Sequence, residues 1–314
     1  MKRRSGACLS VSNISTEGIL VIAGATASGK TELAIALAQR FNAEIIGADS
    51  RQIYRGMPIG TAAPTAAQRA AVPHHLIEII DPQQRYSAAR FAEEAVAQIK
   101  EIHARGRRAI VAGGTGFYIR ALTGAVALSP PADLDIRGRL SLESRIHDAA
   151  FLHQWLATRA PERAAAIAVQ DRYRVSRALE ISLTQDVSER PARISLPHEG
   201  IPFAKVFIDV DNATLAQRIA ARVDAMLAAG FVDEAERVGP RAVAASAVGY
   251  LQALAYLHGW ATFAELRSTI ARATRQYAKR QRTWFRSEPE TTWLRSSDVR
   301  LDIENLAREK LGWA

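Results

Sequence analysis

Short apolar runs alternate with amphipathic stretches over the first 122 residues of the chain. Residues 19–23, 44–48 and 109–112 have the length and apolar content of buried parallel strands. Residues 31–41 and 88–105 carry apolar side chains at three- and four-residue steps, the period of a helix that packs on a core. Strands that alternate with helices predict an α/β fold, with a parallel sheet covered by helices on both faces.

The pattern changes after residue 122. Residues 134–183 predict helices without strands, a loop rich in proline and glycine follows, and residues 205–209 predict one more buried strand. We therefore predict an α/β core that is interrupted by an all-helical insertion subdomain and preceded by a polar, disordered tail. The predicted bounds are 1–17 for the tail, 18–122 and 203–314 for the core, and 123–202 for the insertion.

Composition narrows the classes of protein to consider. With 48% hydrophobic residues the chain can bury a core, which excludes a wholly disordered protein. The single cysteine, Cys8, excludes an internal disulfide framework and a cysteine-rich zinc site, and it favours a reducing cytoplasm. Residues 19–23 are far too short to span a membrane, and the basic N-terminus lacks the apolar block of a signal peptide.

The formal charge of +9 indicates an anionic partner such as nucleic acid, and two segments account for all of it. Lys2, Arg3 and Arg4 give +3, and residues 265–286 give +6 from seven Lys or Arg and one Glu. Five of these later cations are spaced three or four residues apart and form one stripe of a predicted helix: Arg272, Arg275, Lys279, Arg282 and Arg286. On roughly the opposite side, three residues are predicted to face the core: Ile270, Tyr277 and Trp284. Because like charges four residues apart repel, the stripe predicts a bound polyanion.

A glycine-containing loop joins the first predicted strand to the first predicted helix. Its sequence, Gly24-Ala-Thr-Ala-Ser-Gly-Lys-Thr31, fits G-x-x-x-x-G-K-[ST] in the strand–loop–helix setting that this motif requires. Backbone N–H groups and the helix N-terminus would surround a phosphate, Lys30 would add a positive charge, and the Thr31 hydroxyl would bind Mg²⁺. The predicted phosphate site consists of Gly24, Ala25, Thr26, Ala27, Ser28, Gly29, Lys30 and Thr31.

The acidic residues at strand ends argue against a motor or switch protein. Such ATP- or GTP-hydrolysing proteins carry an apolar strand that ends in a Mg²⁺-binding Asp, whereas residues 109–112 run into Gly113-Gly-Thr-Gly116. The strand-end acid near the phosphate loop is Asp49, which favours transfer chemistry on a small phosphorylated donor. Asp209 ends a later strand, and we interpret it as structural.

Several short segments, taken in order, resemble one enzyme family. They are the phosphate loop, Asp49-Ser-Arg-Gln-Ile-Tyr54, Ile59-Gly-Thr-Ala62, Pro73-His-His-Leu76, Tyr86-Ser87 with Phe91, Gly113-Gly-Thr-Gly-Phe-Tyr118, the R-x-x-R-A-L-E of Arg174 to Glu180, Val248-Gly-Tyr250 and Lys279-Arg-Gln-Arg-Thr-Trp284. Over residues 19–295 the chain resembles the bacterial tRNA dimethylallyltransferases, also called tRNA isopentenyltransferases. It departs from them at Ala25, where proline is common, and at Leu251, where the family usually has Lys or Arg.

The resemblance implies a P-loop nucleoside-triphosphate-hydrolase-like fold and a prenyl transfer. A dimethylallyl group would pass from dimethylallyl diphosphate to N6 of adenosine 37, next to the anticodon, in tRNAs that read codons beginning with U. Asp49 would accept the N6 proton, Thr115 would hydrogen-bond the substrate, and Arg137 would reach the site from the insertion. Lys30, together with Mg²⁺ on Thr31, would stabilise the leaving diphosphate.

The resemblance also implies tRNA as the polyanion, held in a channel between core and insertion, and we expect a cytoplasmic monomer. The implied tRNA contacts are Asp49, Ser50, Arg51, Gln52, Arg174, Arg177, Gly249, Tyr250, Arg275, Lys279, Arg280, Gln281, Arg282, Trp284 and Arg286. Arg218 and Arg222, one helical turn apart, either clamp the diphosphate or lie on an exposed helix face. His74 and His75 line the substrate or have a structural role.

Three alternative functions stay open at this point. A small-molecule kinase would share the fold class and use ATP with a hydroxyl acceptor. A relative within the same family would prenylate free adenine nucleotides. An RNA-binding module would use its nucleotide site only to regulate affinity. The missing strand-end Asp and the basic stripe argue against the kinase, and defined positions for Asp49 and Thr115 would be unnecessary in the binding module.

Overall fold

The computed structural model of the protein describes residues 17–126, 133–184, 194–295 and 298–314. The described residues form two compact units, one of residues 17–126 with 194–295 and 298–314, and one of residues 133–184. The second unit lies within the predicted insertion. The predicted disordered tail, apart from Glu17, falls outside the described residues.

A six-stranded sheet forms the centre of the first unit, and every adjacent pair of its strands is parallel. The strands are β1 (Ile19–Gly24), β2 (Ala43–Ala48), β3 (His74–His75), β4 (Arg108–Gly113), β5 (Phe203–Ile208) and β6 (Thr291–Leu294). Their order across the sheet is β3-β2-β4-β1-β5-β6. The α/β fold class and the four strands predicted from apolar runs are therefore confirmed.

Helices surround this sheet and make up the second unit. In the described residues they are α1 (Lys30–Phe41), α2 (Pro58–Thr61), α3 (Ala66–Ala71), α4 (Ala88–Ala104), α5 (Gly116–Leu122), α6 (Leu134–Ile146), α7 (Ala149–Arg159), α8 (Pro161–Ala165), α9 (Arg172–Leu183), α10 (Asn212–Ala228), α11 (Phe231–Val238), α12 (Tyr250–Leu257), α13 (Phe263–Arg286) and α14 (Val299–Leu311). None of these described helices is long and apolar enough to cross a membrane.

The two edge strands, β3 and β6, were not predicted from the sequence. β3 consists of two histidines, and β6 is a half-buried run of four residues, so neither has the continuous apolar pattern of a central strand. Both add to the sheet by backbone pairing, β3 beside β2 and β6 beside β5. Their position depends on the neighbouring strand rather than on a pattern of their own.

In the part of the first unit that the structure describes, apolar clusters on and beside the sheet stabilise the fold. One packs α1 and α14 on β1, where the rings of Phe41 and Trp313 meet edge to face with centroids 5.3 Å apart. Another lies among α10, α11, α12 and α13 and includes Phe231, Tyr250 and Ile270. This second cluster also contains Ile53 and Tyr54, which follow β2, so it positions the loop that contains Asp49.

The second unit contains α6 to α9, and its described residues include no strand, as the sequence predicts. Its core is formed by leucine, valine and alanine side chains on all four helices: Leu140, Leu152, Leu156, Ala164, Val175, Ala178 and Leu179. Residues 194–202 pack with the first unit, since Leu196 donates its N–H to the Leu122 carbonyl and Pro202 accepts the N–H of Ile19.

The longest helix, α13, extends over 24 residues. It begins with a capping box in which Thr262 and Glu265 satisfy each other's free backbone N–H groups. Its buried side comprises Leu266, Ile270, Ala278, Gln281 and Phe285. Ile270 faces the core as predicted, whereas Tyr277 and Trp284 are only half-buried because they lie next to the loops at the carboxyl ends of the strands.

Candidate active site

The phosphate loop lies between the end of β1 at Gly24 and the start of α1 at Lys30. Gly29 has φ +87°, a left-handed conformation that glycine adopts without a steric penalty. A side chain on Gly24 would place its Cβ 2.6 Å from Ser28 Oγ, so glycine is also needed where the loop folds back on itself. The local sequence therefore fixes the turn expected of a phosphate-binding loop.

Two arginines on α10 hold this loop from one side. Arg222 donates to Thr26 Oγ1 over 2.8 Å, and Arg218 donates to the carbonyl of Ser28 over 3.2 Å. Both side chains thus reach the phosphate loop, Arg218 from an exposed position, and the clamp on the diphosphate stays a prediction. Burial lowers the pKa of both Lys30 and Arg222, and the negative charge of Asp49 counteracts burial at each. Cations concentrated in this way favour an anionic ligand.

Asp49 follows β2 directly and lies at the carboxyl edge of the sheet. Its Oδ1 accepts the N–H of Arg51 over 2.9 Å, which fixes the carboxylate against its own loop. The next residue, Ser50, donates its N–H to Thr115 Oγ1 over 2.9 Å, and Thr115 donates its N–H to the Ala48 carbonyl over 3.1 Å. Asp49 and Thr115, predicted from separate motifs, are thus brought together by the pairing of β2 with β4.

Two tyrosines lie within electrostatic range of Asp49. Burial raises the pKa of Tyr277, and the Asp49 charge raises it further, while a hydrogen bond links Tyr277 to Thr115. Burial likewise raises the pKa of Tyr118, with Tyr54 and Asp49 adding to the effect. Both phenols therefore stay protonated and can act as donors near the carboxylate. Helical spacing predicts a core position for Tyr277 and does not indicate this place beside Asp49.

Asp49 lines a cavity of about 180 Å³. One part of its lining is polar or charged: Thr26, Asp49, Arg51, Thr61, Arg222, Ser246, Thr274, Tyr277 and Arg280. The other part is apolar or small: Gly60, Val223, Met226, Ala247 and Val248. The lining therefore offers both charged groups and apolar surface to a ligand.

Comparison with known proteins identifies the family. The family model described as IPP transferase matches residues 52–288. The chain belongs to this family. It is 43% identical over 283 residues to the tRNA dimethylallyltransferase of Geobacter sulfurreducens, covering 88% of this chain and 91% of the relative. It is 46% identical over 297 residues to the tRNA dimethylallyltransferase of Alkalilimnicola ehrlichii, covering 91% and 93%.

Solved structures of the same family share the fold. The full-length tRNA isopentenylpyrophosphate transferase from Bacillus halodurans superposes with a TM-score of 0.67 at 37% identity, covering 94% of this chain and 97% of that one. A eukaryotic dimethylallyltransferase described as acting on tRNA superposes with a TM-score of 0.73 at 26% identity, covering 93% and 78%. The predicted family is thereby confirmed, and so is the predicted fold class.

Gln281 joins the two glycine loops, residues 24–31 and 113–116. Its Oε1 accepts the N–H of Thr26 and its Nε2 donates to the carbonyl of Gly114, both over 2.9 Å. The side chain is 6% exposed, and both polar atoms of its amide are hydrogen-bonded within the protein. This placement favours a bracing role for Gln281 over the predicted contact with tRNA.

Two more predicted tRNA contacts have side chains held inside the protein. Gln52 Nε2 donates to the carbonyls of Thr61 and Ala62 over 3.1 and 2.9 Å. Tyr250 is fully buried, next to Gly249, and donates its hydroxyl to Glu234 over 2.7 Å. These contacts favour structural roles for both side chains. Leu251 is exposed where the family usually has a cation.

Trp284 packs directly on the glycine loop. A Cβ on Gly116 would lie 2.1 Å from the indole Cδ1, and the guanidinium of Arg120 stacks 4.4 Å from the ring centroid. Glu288 pairs with Arg120 over 2.7 Å and with the buried Lys205 over 2.8 Å, which anchors this end of α13. The indole ring is thus packed between Gly116, the residue after Thr115, and the Arg120 guanidinium.

The cations of the basic stripe on α13 differ in exposure and in ion pairing. Arg272, Arg275, Lys279 and Arg286 are exposed, as is the neighbouring Arg280. Arg282 differs because its Nε lies 2.8 Å from the carboxylate of Asp209, which is buried and also pairs with Arg295. This pairing agrees with the interpretation of Asp209 as structural. Because the charge of Arg282 is paired with Asp209, it contributes less to the attraction of a polyanion than the exposed cations do.

The second unit contains the three remaining predicted site residues. Arg137, on α6, pairs with the buried Glu180 over 2.9 Å, and Arg177, on α9, pairs with the same carboxylate. Arg174 is exposed and lies 3.4 Å from Asp171. A single buried acid therefore orients Arg137 and Arg177 within this unit.

The two histidines have partners that favour the structural alternative. His75 Nε2 lies 2.6 Å from the carboxylate of the buried Glu44, and His74 Nδ1 lies 2.7 Å from the carbonyl of Val72. Arg105 and Arg107 also pair with Glu44. Burial raises the pKa of Glu44, but the hydrogen bonds from Arg105 and His75 outweigh it and lower the pKa overall. In the described residues, no cluster of three or more His, Cys, Asp or Glu could hold a metal.

Replacing Gly113 with alanine should destabilise the protein by about 3 kcal/mol and remove most activity. The new Cβ would lie 2.1 Å from the Ala48 carbonyl oxygen, and neither backbone can move without displacing Asp49. Urea denaturation and turnover measure the two effects. Gly138→Ala is the matched control, since open space surrounds that glycine within α6, and it should stabilise the protein by about 1 kcal/mol. Equal stability of both variants would contradict the close strand approach.

Proposed function

We propose that this protein transfers a dimethylallyl group from dimethylallyl diphosphate to N6 of adenosine 37, next to the anticodon, in tRNAs that read codons beginning with U. The observation that carries the proposal is the meeting of a phosphate loop and a strand-end carboxylate, Asp49, around one small cavity. A phosphate loop alone fits many donors, whereas this cavity adds a hydrocarbon-sized apolar wall and a base. We expect the protein to act in the cytoplasm as a monomer.

The donor would lie with its diphosphate on the phosphate loop. Lys30, Arg218 and Arg222 would surround the phosphates, since all three hold or adjoin that loop. The five-carbon group would then extend along Val223, Met226 and Val248. An amphiphilic ligand of this kind matches a lining that carries both charged and apolar residues.

The reaction needs help at both ends of the donor. The bond between the prenyl carbon and the diphosphate oxygen breaks, its electron pair stays on the diphosphate, and N6 forms the new carbon–nitrogen bond. The cations of the loop stabilise the growing charge on the leaving group. Asp49 accepts the proton that N6 loses, and Thr115, fixed against Ser50, orients the acceptor.

A magnesium ion fits this proposal with few protein ligands. Mg²⁺ commonly keeps several waters and binds one or two protein groups together with substrate phosphates. The Thr31 hydroxyl, in the first turn of α1, would be the protein ligand, and the ion would neutralise charge on the leaving diphosphate. No larger ligand set is required of the chain.

The acceptor base must leave its stack before it reaches Asp49. The exposed cations of α13 would hold the tRNA backbone during this step, because phosphate contacts supply most of the sequence-independent affinity. Arg51 and Arg280 line the cavity itself and would contact the nucleotide that enters. Arg174 and Arg177 would bind the tRNA from the second unit, and Arg137 stays a predicted catalytic residue.

Replacing both Arg275 and Lys279 with alanine should weaken tRNA binding by about tenfold and reduce the slope of log affinity against log salt by about two. Both side chains are exposed and are expected to contact phosphates. Binding titrations at several salt concentrations measure the slope. The matched control removes two exposed cations of α14, Arg308 and Lys310, and should leave the slope unchanged. Equal slopes in both double variants would place the tRNA elsewhere.

One assay separates this function from its alternatives. The protein and Mg²⁺ are incubated with labelled dimethylallyl diphosphate and either unmodified tRNA or AMP. Label in tRNA alone is expected. Label in AMP would indicate transfer to free nucleotides, consumption of ATP without label would indicate a kinase, and tRNA binding without any turnover would indicate a binding module. Mapping the labelled nucleotide then tests the position next to the anticodon.

A further inference from the structure

A buried carboxylate that has no role in the proposed reaction joins two walls of the active-site cavity. Glu234, on α11, is 0% exposed. Its Oε2 accepts the N–H of Ile59 over 2.9 Å, and its Oε1 accepts the N–H of Gly60 and the hydroxyl of Tyr250, each over 2.7 Å. In the described part of the chain, no Lys, Arg or His forms an ion pair with it. Burying a charge among neutral donors alone is costly, so these donors must be held in place.

The donors belong to two segments that line the cavity. Gly60 and Thr61 form one part of the lining, and Ala247 and Val248, just before Tyr250, form another. Burial raises the pKa of Tyr250, and Glu234 raises it further, so the phenol remains a donor. One carboxylate thus connects residues 59–61 with residues 247–250.

The packing around this carboxylate leaves little room for movement. A Cβ on Gly60 would lie 2.4 Å from Phe231 Cε2 and 2.5 Å from Tyr250 Oη. On its other side, Gln52 holds the carbonyls of Thr61 and Ala62. A shift of Glu234 or Tyr250 would therefore move Gly60 and widen or narrow the cavity.

The size of the cavity matches a short hydrocarbon. An apolar cavity of about 150 Å³ accommodates benzene, which has six carbons. The volume next to Asp49 is similar, about 180 Å³, so a five-carbon group fits, and the spacing of the cavity walls decides how much longer a chain the site accepts.

We propose that Glu234 is a positioning residue that fixes the two cavity walls, residues 59–61 and 247–250, and thereby selects the length of the prenyl group transferred. This inference rests on the proposed prenyl transfer. Glu234 touches neither donor nor acceptor, and acts through Gly60 and Tyr250.

The test is the selectivity of Glu234→Gln between dimethylallyl and geranyl diphosphate, the five- and ten-carbon donors. Glutamine keeps the side-chain volume but presents an NH₂ group to one of the N–H or O–H donors, so one hydrogen bond is lost. We expect kcat/KM for the five-carbon donor to fall about tenfold and the ratio of five- to ten-carbon turnover to fall at least as much. Affinity for tRNA should not change.

Two further variants make the outcome decisive. Tyr250→Phe removes one donor and keeps the carboxylate, so the selectivity ratio should shift in the same direction by a smaller factor. If Glu234→Gln does not fold, this variant carries the test. Glu236→Gln, an exposed neighbour on α11, is the matched control and should behave as wild type.

A merely structural role makes a different prediction. The variants would then lose melting temperature and active fraction while the selectivity ratio per active enzyme stayed constant, which would overturn the proposal. Wild-type turnover of dimethylallyl diphosphate on tRNA, measured in the same series, separates the two hypotheses. Its absence would refute the proposed function, whereas normal turnover with unchanged variant selectivity would refute only the role of Glu234.

Discussion

Asp49→Asn should lower single-turnover prenyl transfer by about 10³-fold and leave tRNA affinity within about twofold of wild type. The asparagine carbonyl can still accept the N–H of Arg51, so the loop after β2 should keep its shape. The proton acceptor for N6 is lost. The Asp49 charge also offsets the charges of Lys30 and Arg222. The variant lacks this negative charge and should therefore bind the anionic donor at least as tightly as wild type does.

The combination of a low rate with undiminished donor affinity identifies the base. Rapid-quench experiments with labelled donor give the rate and the donor affinity, and filter binding gives tRNA affinity. Asp224→Asn is the matched control, because Asp224 is exposed and pairs only with Arg267 among the contacts described. If Asp49→Asn transferred the prenyl group as fast as Asp224→Asn does, Asp49 would not be the base. A large loss of donor affinity would instead assign Asp49 to donor binding.

The parts of the fold with a local signature could be predicted from the sequence. β1, β2, β4 and β5 each contain a short apolar run, and α1 and α4 show helical periodicity, because burial on both faces or on one face imposes those patterns. β3 and β6 are too short and too polar to show either pattern. Residues 194–202 resemble an ordinary loop in sequence, yet their backbone hydrogen bonds place them with the first unit.

The same distinction applies to the candidate site. The phosphate loop and the acid at the end of β2 are local motifs, so the sequence predicts them. Contacts that bring α10 and α13 over the sheet connect residues far apart, such as Thr26 and Gln281, and no local pattern specifies them. Helical spacing placed Tyr277 opposite the cations, but it does not say whether that face meets the core or a cavity.

One signal in the sequence points to the position of Tyr277 beside the cavity. Tyr277, Gln281 and Trp284 follow one another at four and three residues on α13, and the last two belong to a segment that resembles the family. Polar side chains at helical spacing opposite an exposed stripe indicate a face that contacts something other than apolar core. The glycines at 114 and 116 leave room for these side chains. Glu234 has no such signal, since its three donors come from distant segments.

Lys30→Met should raise the KM for dimethylallyl diphosphate and lower turnover, with kcat/KM reduced by about 10³-fold. Methionine fills a similar volume without the charge that Lys30 would bring to the diphosphate. Donor titrations under steady-state and single-turnover conditions measure the two parameters. Lys100→Met, on the surface of α4 where Lys100 pairs with Glu199, is the matched control and should match wild type. Loss of tRNA affinity without loss of donor affinity would contradict the assignment.

The pH dependence of donor binding gives an independent test of the same residue. Burial lowers the pKa of Lys30 below its usual 10.5, so the free protein loses this charge at a lower pH than an exposed lysine would. The bound diphosphate favours the charged form, and donor affinity should therefore decrease as pH rises through the lowered pKa. Burial raises the pKa of Tyr118 and Tyr277, which keeps their titration out of this window. From about pH 7 to about pH 10, wild-type KM should rise, while Lys30→Met should lack that rise. The same alkaline rise in both proteins would mean that another group, and not Lys30, carries the charge that the donor needs.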